Sequence, residues 1–298
     1  MRRLRSMRGC LSDRCYLSRV IIYNRKVITS KKHCPYGQCF FMISPFAFSS
    51  SIMISPTSGT EMRPAYGFFI LKNVNVTIPD RTTTAIIGPS GSGKTTLCSL
   101  IARFWDVDRG SICIGGTDIR EYTLESLMDQ ISMVFQNVYL FADTIENNIK
   151  FGSPDATHEQ VVAAAKKACC HDFISALPDG YGTVIGEGGA TLSGGEKQRI
   201  SIARAMLKNA PIIIFDEATA NVDPENEDKL QKAMEELMRD KTILMIAHRL
   251  KTVQKADQIL VLDEGRIVQK GTHEELKDTP GIYRDFLEVR KEAAGWKL

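Results

Sequence analysis

Alternating and continuous apolar runs divide the chain from about residue 66 onward into strands and helices. Leu71–Ile78 alternates apolar with polar side chains, which is typical of an antiparallel strand with one face in solvent. Thr83–Ile87, Pro211–Phe215 and Thr242–Ala247 are instead apolar along most of their length, as parallel strands covered on both faces are. The pattern predicts an α/β fold with a parallel core sheet.

Helical spacing fills the stretches between these strands. Apolar residues recurring on one face predict a helix over Thr96–Phe104, and residues 140–210 are predicted to be largely helical. The turn Asp263–Gly265 predicts a hairpin between the strands on either side of it. The remaining predicted helices are Leu124–Asp129, Thr144–Ile149, His158–Cys170, Phe173–Leu177, Gly195–Leu207, Pro224–Met238 and Gly281–Ala294, and the remaining strands are Ser111–Ile114, Ile131–Phe135, Gln258–Leu262 and Arg266–Gln269.

Charge separates the first sixty residues from the rest of the chain. The chain has 298 residues and a net charge of +3, but residues 1–60 carry +9 and the remainder −6. Because the main body is mildly acidic, we expect no nucleic-acid partner. Residues 34–60 have no charged side chain but are broken by Pro45 and Pro56, which makes a membrane span unfavourable. We therefore expect residues 1–60 to be a poorly ordered leader and residues 61–298 to form the functional domain.

The eight cysteines favour a reducing compartment. Those of the body lie in apolar runs, where a free thiol behaves as a small apolar group. Those of the leader have the spacing C-x4-C twice beside His33; a zinc site is one interpretation, and chance is the one we prefer. The two groups are Cys98, Cys113, Cys169 and Cys170 in the body, and Cys10, Cys15, Cys34 and Cys39 in the leader.

The glycine-rich stretch Gly88–Thr95 fits the P-loop pattern G-x-x-x-x-G-K-[ST]. It follows a predicted strand and opens a predicted helix, which is the context that a phosphate site requires. Backbone N–H groups and the positive end of the helix would face the phosphates. Lys94 can reach the β- and γ-phosphates, and the hydroxyl of Thr95 can ligate Mg²⁺.

Polar side chains end three other strands of the predicted sheet. Asp216 follows an apolar run and suits a residue that orders Mg²⁺ or its water, and Glu217 could polarise an attacking water. His248 could hydrogen-bond the γ-phosphate or be structural. Gln136 could reach the metal, although its position alone favours a surface glutamine. Such side chains at the carboxyl ends of strands would gather at one edge of an open α/β sheet.

A second glycine-rich stretch, Leu192–Glu196, opens another predicted helix. Its N–H groups and the hydroxyl of Ser193 form a second candidate anion site. One γ-phosphate has limited room, so this segment would serve a phosphate held by a second copy of the protein. The alternative is a helix start softened by glycine.

The order and spacing of these motifs resemble the nucleotide-binding domain of ATP-binding cassette (ABC) transporters of the exporter type. The matching segments are the Walker A motif (Gly88–Thr95), the Q-loop (Gln136), the signature (Leu192–Glu196), Walker B (Ile212–Asp216 with Glu217) and the switch histidine (His248). The resemblance implies a P-loop NTPase fold with a parallel core sheet, an antiparallel β subdomain and a helical signature subdomain at about 137–210.

The resemblance also implies ATP and Mg²⁺ as cofactors. Glu217 is the implied catalytic base, with His248, Gln136 and Asp223 of the D-loop Ala220–Asp223 completing the catalytic set. Thr95, Gln136 and Asp216 are the implied metal residues. Tyr66 is the candidate for stacking on adenine, since no typical first strand precedes Leu71. The implied ATP-contacting residues are Tyr66, Gly88, Pro89, Ser90, Gly91, Ser92, Gly93, Lys94, Thr95, Thr96, Ser193, Gly194, Gly195 and Glu196.

Two such domains pair head-to-tail in this family and bury two ATP molecules. The implied partners are a second ATP-binding domain and a transmembrane domain or subunit, which Asn137–Ile149 would contact, at the cytoplasmic face of the membrane. One alternative is a soluble ABC ATPase of DNA repair or translation, but no long coiled coil separates Thr95 from Leu192 and only one cassette is present. The other is an inactive fragment that binds nucleotide without hydrolysing it.

Overall fold

The computed structural model describes residues 51–55, 71–135, 137–186, 192–216, 224–247 and 249–295. Within these ranges, no helix combines the length and the apolar character needed to cross a bilayer. The strands are β1 (Ile52–Ser55), β2 (Val76–Ile78), β3 (Thr83–Ile87), β4 (Ser111–Ile114), β5 (Thr117–Asp118), β6 (Ile131–Val134), β7 (Asp143–Thr144), β8 (Val184–Ile185), β9 (Ile212–Asp216), β10 (Thr242–Ile246), β11 (Gln258–Asp263) and β12 (Arg266–Gly271).

The helices occupy most of the chain between these strands. They are α1 (Lys94–Ile101), α2 (Leu124–Gln130), α3 (Ile145–Lys150), α4 (His158–Lys167), α5 (His171–Ser175), α6 (Gly194–Lys208), α7 (Pro224–Met238), α8 (Leu250–Gln254), α9 (His273–Leu276) and α10 (Ile282–Gly295), with short 3₁₀ turns at Ile119–Glu121 and Gly180–Gly182.

The core is a six-stranded sheet in the order β12-β11-β3-β10-β9-β6. Its strands are parallel except β12, which returns antiparallel to β11 through the predicted hairpin. Because β3, β9 and β10 are neighbours, the carboxyl ends of the three apolar runs meet along one edge of the sheet. The predicted α/β class with a parallel core is confirmed.

Each core strand is buried on both faces, which explains its continuous apolar sequence. Alternate residues of β3 enter two different clusters: Ala85 and Ile87 pack under the helices α3 to α10, whereas Ile86 packs against α1 and the antiparallel strands. β9 and β10 are divided between the two clusters in the same way. The sheet therefore separates two apolar cores, and the P-loop helix belongs to the second.

The second sheet is antiparallel, in the order β2-β1-β4-β5. β1 lies between β2 and β4, with Ile52 opposite both Ile78 and Ile114. Ile52 and Ile54 are buried in the core beside α1. The expectation that all of residues 1–60 form a leader is therefore wrong for Ile52–Ser55, because these residues pair with two strands distant in sequence.

Residues 137–186 and 192–208 supply the predicted helical part. Within this part, β7 and β8 pair as a small two-stranded sheet. α6 packs against α3, α4 and α7. The buried face of α6 includes Ile200, Ile202 and Ala203. The helix thus connects its exposed first turn to the middle of the helical core.

Three of the element boundaries that differ from the predictions coincide with single residues in left-handed backbone angles. Asn73 has a φ of 51°, and the predicted strand 71–78 is restricted to β2. Arg103 has a φ of 54° just after α1, so Phe104 lies outside the helix and half-exposed. Cys169, also at 54°, separates α4 from α5 within the predicted helix 158–170. None of the three is glycine, and only Asn73 belongs to the other residue types that favour this conformation, so the sequence gave little sign of these breaks.

Candidate nucleotide site

The P-loop connects β3 to α1, as the motif predicts. Gly88 has a φ of 149°, and a Cβ built on it would lie 2.0 Å from the carbonyl oxygen of Leu262. Gly93 has a φ of 103°, and a Cβ there would lie 2.7 Å from Leu71 Cδ2. Both positions therefore require glycine, for conformation and for space. The loop is held in a shape that a chain of larger residues could not follow.

The hairpin after β11 supports the loop from one side. The N–H of Gly265, in the hairpin turn, donates a hydrogen bond of 3.1 Å to the carbonyl oxygen of Ser92. The N–H of Lys72 donates to the carbonyl of Gly265 at 2.8 Å and closes the same corner. These supporting residues were missed in the sequence; the turn Asp263–Gly265 was recognised only as a hairpin.

Lys94 folds back over the loop. Its Nζ donates hydrogen bonds to the carbonyl oxygens of Gly88, at 2.9 Å, and Pro89, at 2.8 Å. The side chain is buried although it carries a charge. The ammonium group is thus held at the mouth of the loop, where a phosphate oxygen could replace a carbonyl as its partner.

Ser92 carries a buried hydroxyl that has no hydrogen-bond partner among the described residues. An unsatisfied buried hydroxyl is unfavourable in a folded protein and needs an explanation. Its position inside the glycine loop, beside Lys94, supplies one: the hydroxyl can donate to a ligand held there. The residues present therefore fit a bound phosphate group.

The first turn of α1 is also suited to an anion. Gly93 caps it without any side-chain hydrogen bond, and no acidic residue lies in the first turn. The N-terminus of α4, by contrast, is closed by a capping box. Thr95 is exposed at the start of α1, so its hydroxyl is accessible to a metal or its water. The helix end offers backbone N–H donors and positive potential where the loop would hold a phosphate.

Asp216 lies at the carboxyl end of β9, two strands away from the P-loop strand. The register aligns Asp216 with Ile246 of β10, and Ile246 with Ile86 of β3. At the usual strand spacing, the backbones of Asp216 and Ile86 are about 10 Å apart. Burial raises the pKa of the Cys98 thiol, and the nearby Asp216 carboxylate raises it further. The carboxylate therefore lies near Cys98 of α1, one turn beyond Lys94, at the edge of the sheet where it could ligate Mg²⁺.

The signature segment forms the start of α6. Ser193 accepts a hydrogen bond from the N–H of Glu196 at 3.3 Å, and the Glu196 carboxylate accepts from the N–H of Ser193 at 2.8 Å. Ser193 and Gly194 are exposed, whereas Gly195 is buried. The hydroxyl predicted to bind a phosphate is thus both a helix cap and accessible from outside.

Five of the predicted site residues lie outside the described residues: Tyr66, Gln136, Glu217, Asp223 and His248. Two of the five directly follow described residues: Gln136 follows Phe135, and Glu217 follows Asp216, the last residue of β9. The carbonyl of Phe135 accepts a hydrogen bond of 3.4 Å from Nε2 of Gln198 in α6. The roles of the five residues stay predictions.

A groove of about 260 Å³ lies beside β6 and α6. Its wall includes Tyr139, Phe141 and Phe151, three aromatic side chains that are more than a third exposed. The ring centroid of Phe141 lies 5.2 Å from that of Tyr139 and 4.7 Å from that of Phe151. Tyr139 and Phe141 lie in Asn137–Ile149, the segment that the resemblance assigns to a membrane partner, and Phe151 follows it by two residues.

Comparison with known proteins agrees with this geometry. The family model described as "ABC transporter" matches residues 71–220, half of the chain. The chain belongs to the ABC transporter family. A domain of this family binds ATP, and the predicted exporter type agrees with the relatives below.

Two relatives of this ABC domain are named ATP-dependent lipid A-core flippase. The protein of Legionella pneumophila (strain Paris) is 51% identical over 222 residues, which cover 74% of this chain and 38% of that protein. The protein of Escherichia coli (strain K12) is 50% identical over 214 residues, covering 72% of this chain and 37% of that protein. The chain thus spans less than two fifths of these relatives.

A solved structure has the same fold. The ATP-bound form of a bacterial Atm1-family ABC exporter superimposes with a TM-score of 0.74 and 39% sequence identity. The match covers 81% of this chain and 42% of the exporter chain.

Proposed function

We propose that this ABC domain hydrolyses ATP and thereby drives export through a membrane partner. The observation that carries the proposal is the P-loop cradle, in which Lys94 and the hydroxyl of Ser92 lie buried and ready for a phosphate. The flippases that share about half of its aligned residues are ATP-dependent by name. Selection of the exported molecule would belong to the membrane helices of the partner.

The described residues divide the work of holding the nucleotide. Lys94, the loop N–H groups and Ser92 would bind the phosphates, while Thr95 and Asp216 would hold Mg²⁺ between the loop and the sheet edge. Mg²⁺ would supply positive charge against the charge that develops during phosphoryl transfer. Glu217 would accept a proton from the attacking water, with Gln136, Asp223 and His248 positioning the reacting groups. Tyr66 would stack on adenine.

A second ATP-binding domain would complete the site. The first turn of α6 is exposed at Ser193 and Gly194. Its N–H groups can therefore meet a γ-phosphate held by the P-loop of another copy or of a different ABC domain. ATP bound between the two would favour closure, and loss of the γ-phosphate would remove the bridge.

The aromatic groove is the proposed contact with the membrane partner. A helical segment from a membrane protein could bury the exposed rings of Tyr139, Phe141 and Phe151. The domain would then lie at the cytoplasmic face of the membrane, as a peripheral subunit or as one part of a transporter.

The assignment of Glu217 gives the direct test. Replacing Glu217 by Gln removes the proton acceptor but keeps the shape, so turnover should fall by about 10²- to 10⁴-fold. Binding of ATP should persist, and an ATP-dependent dimer should accumulate because the bridge is no longer cleaved. Phosphate release and analytical ultracentrifugation measure the two effects.

Lys94→Ala serves as the contrasting variant. It should lose ATP affinity and form no dimer, since the charge held at the loop is gone. Wild-type turnover in the Glu217→Gln protein would refute the catalytic role. ATP binding without turnover in the wild type, even at high protein concentration, would favour the inactive nucleotide-binding module instead.

A further inference from the structure

Three side chains of α6 attach the helix to backbone carbonyl groups around the aromatic groove. Gln198 donates to Phe135, as described, near the start of the helix. Arg204 donates through Nε to the carbonyl of Asn148 at 2.9 Å, and Lys208 donates through Nζ to the carbonyl of Ile131 at 2.8 Å. The helix that begins with the signature is therefore fixed to the groove along its length.

Arg204 is the attachment that lies against two aromatic rings of the groove. Its guanidinium carbon lies 5.4 Å from the ring centroid of Phe151 and 5.9 Å from that of Phe141. The same group donates at 3.4 Å both to the carbonyl of Tyr139 and to Oδ1 of Asn148. Burial lowers the pKa of Arg204 to about 10, so the charge lies within protein rather than in bulk water. One side chain thus joins α6 to three of the four aromatic residues that line the groove, Tyr139, Phe141 and Phe151.

Asn148 extends this connection through the groove segment. Its buried side chain accepts from the N–H of Phe141 at 2.8 Å and donates to the carbonyl of Phe141 at 3.1 Å. It also donates to the carbonyl of Thr144 at 3.0 Å. Because Arg204 bonds both the carbonyl and the side chain of Asn148, the turn carrying Phe141 cannot move without changing the contacts of Arg204.

The backbone of the groove segment also meets α6 at this residue. Gly152 follows Phe151, and a Cβ built on Gly152 would lie 2.3 Å from the carbonyl oxygen of Arg204. No side chain separates the two segments at this point. The backbones are therefore in close contact next to Phe151, with no space for a side chain between them.

From these contacts we infer that Arg204 is a positioning residue, which couples the aromatic groove to the orientation of the signature end of α6. The inference rests on the proposed function, since the groove has to respond to nucleotide for the coupling to exist. Arginine is required because its planar group bonds carbonyl groups and stacks on rings at the same time; lysine can do only one of these.

Hydrogen–deuterium exchange of the full chain with AMP-PNP and Mg²⁺ tests the coupling, at a protein concentration that allows dimers to form. In the wild type, nucleotide should slow exchange in the P-loop peptide and also in a peptide covering 139–152. We expect the slowing in 139–152 to be about fivefold or more, the lower end of usual coupling between two sites. In Arg204→Lys the P-loop should stay protected and residues 139–152 should lose their response.

Two further variants separate coupling from general damage. Lys208→Met removes another attachment of the same helix and should keep both responses. Phe151→Leu removes a ring that is mostly exposed, so it should fold even if Arg204→Lys does not, and it should weaken the response of 139–152.

The possible outcomes are distinct for the two proposals. A full response of 139–152 in Arg204→Lys, or in Phe151→Leu if the first variant is unfolded, overturns the positioning role. P-loop protection without any groove response in the wild type overturns it as well and leaves the nucleotide site standing. Loss of protection in both peptides of the wild type contradicts the proposed function, and the inference with it.

Discussion

At the scale of single residues, the positive charge of Lys94 is stabilised by carbonyl groups of the P-loop backbone. Lys94 donates to two carbonyl oxygens of the loop, while the neighbouring hydroxyl of Ser92 has no partner among the described residues. Lys94 can bind a ligand and is stabilised by hydrogen bonds in its absence. Ser92 can also bind a ligand, but its unsatisfied hydroxyl destabilises the unliganded fold. The difference leads to opposite expectations for substitution.

Ser92→Ala should leave the free protein as stable as the wild type, or more stable by up to about 1 kcal/mol, because a buried unsatisfied hydroxyl is removed. The thermal shift produced by ATP should nevertheless shrink, since a donor to the phosphates is lost. Urea unfolding and melting with and without ATP measure both effects.

Ser99→Ala on α1, the helix that follows the loop, is the matched control and should keep the full ATP shift. A loss of more than about 2 kcal/mol in the free Ser92→Ala protein would show that the hydroxyl has a structural partner and contradict this account.

At the scale of elements, capping boxes close three helices in the described part of the chain, and two of these boxes make an informative pair. Ser193 with Glu196 starts α6, and Thr157 with Gln160 starts α4. The two devices are chemically alike and stabilise their helices to a similar extent. Only the first lies in the proposed contact with a second domain, so substitution can separate helix stability from function.

Ser193→Ala and Thr157→Ala should each destabilise the protein by about 1 kcal/mol, the usual cost of losing such a cap. ATP turnover should fall strongly in Ser193→Ala and stay near the wild-type rate in Thr157→Ala. Denaturant titration and phosphate release on both variants make the comparison. Equal turnover in the two would mean that Ser193 acts only as a helix cap.

The sequence predicted the elements whose pattern is local. The core strands were evident because burial on both faces demands continuous apolar runs, and the P-loop because its shape demands glycine at fixed positions. β1 was missed because its four residues form a strand by pairing with β2 and β4, which lie about 20 and 60 residues further along the chain. The support of Gly88 by Leu262 was missed for the same reason, as it joins residues distant in sequence.

At the scale of the whole molecule, two separate apolar cores lie on opposite sides of the six-stranded sheet. The core on the P-loop side contains α1 together with β1, β2 and β4. β1 is therefore part of the support of the nucleotide site, although the family model begins only at residue 71. Removing β1 should disturb this core more than its length suggests.

A fragment of residues 56–298 should be much less stable than a fragment of residues 51–298. It lacks Ile52 and Ile54, and each such buried isoleucine contributes about 2–5 kcal/mol. It also leaves β2 and β4 with unpaired edges, which favours association between copies. Melting temperature and size-exclusion chromatography compare the fragments, and equal melting temperatures would contradict a structural role for β1.

The carbonyl contacts of Lys94 have a consequence for which anions the loop admits. An incoming ion has to displace two neutral oxygens from the ammonium group before it can occupy their place. Chloride and other weakly charged ions gain little by this exchange, whereas a triphosphate offers several charged oxygens at once. The resting loop would in this way discriminate by charge density, before any contact with the base or the sugar is made.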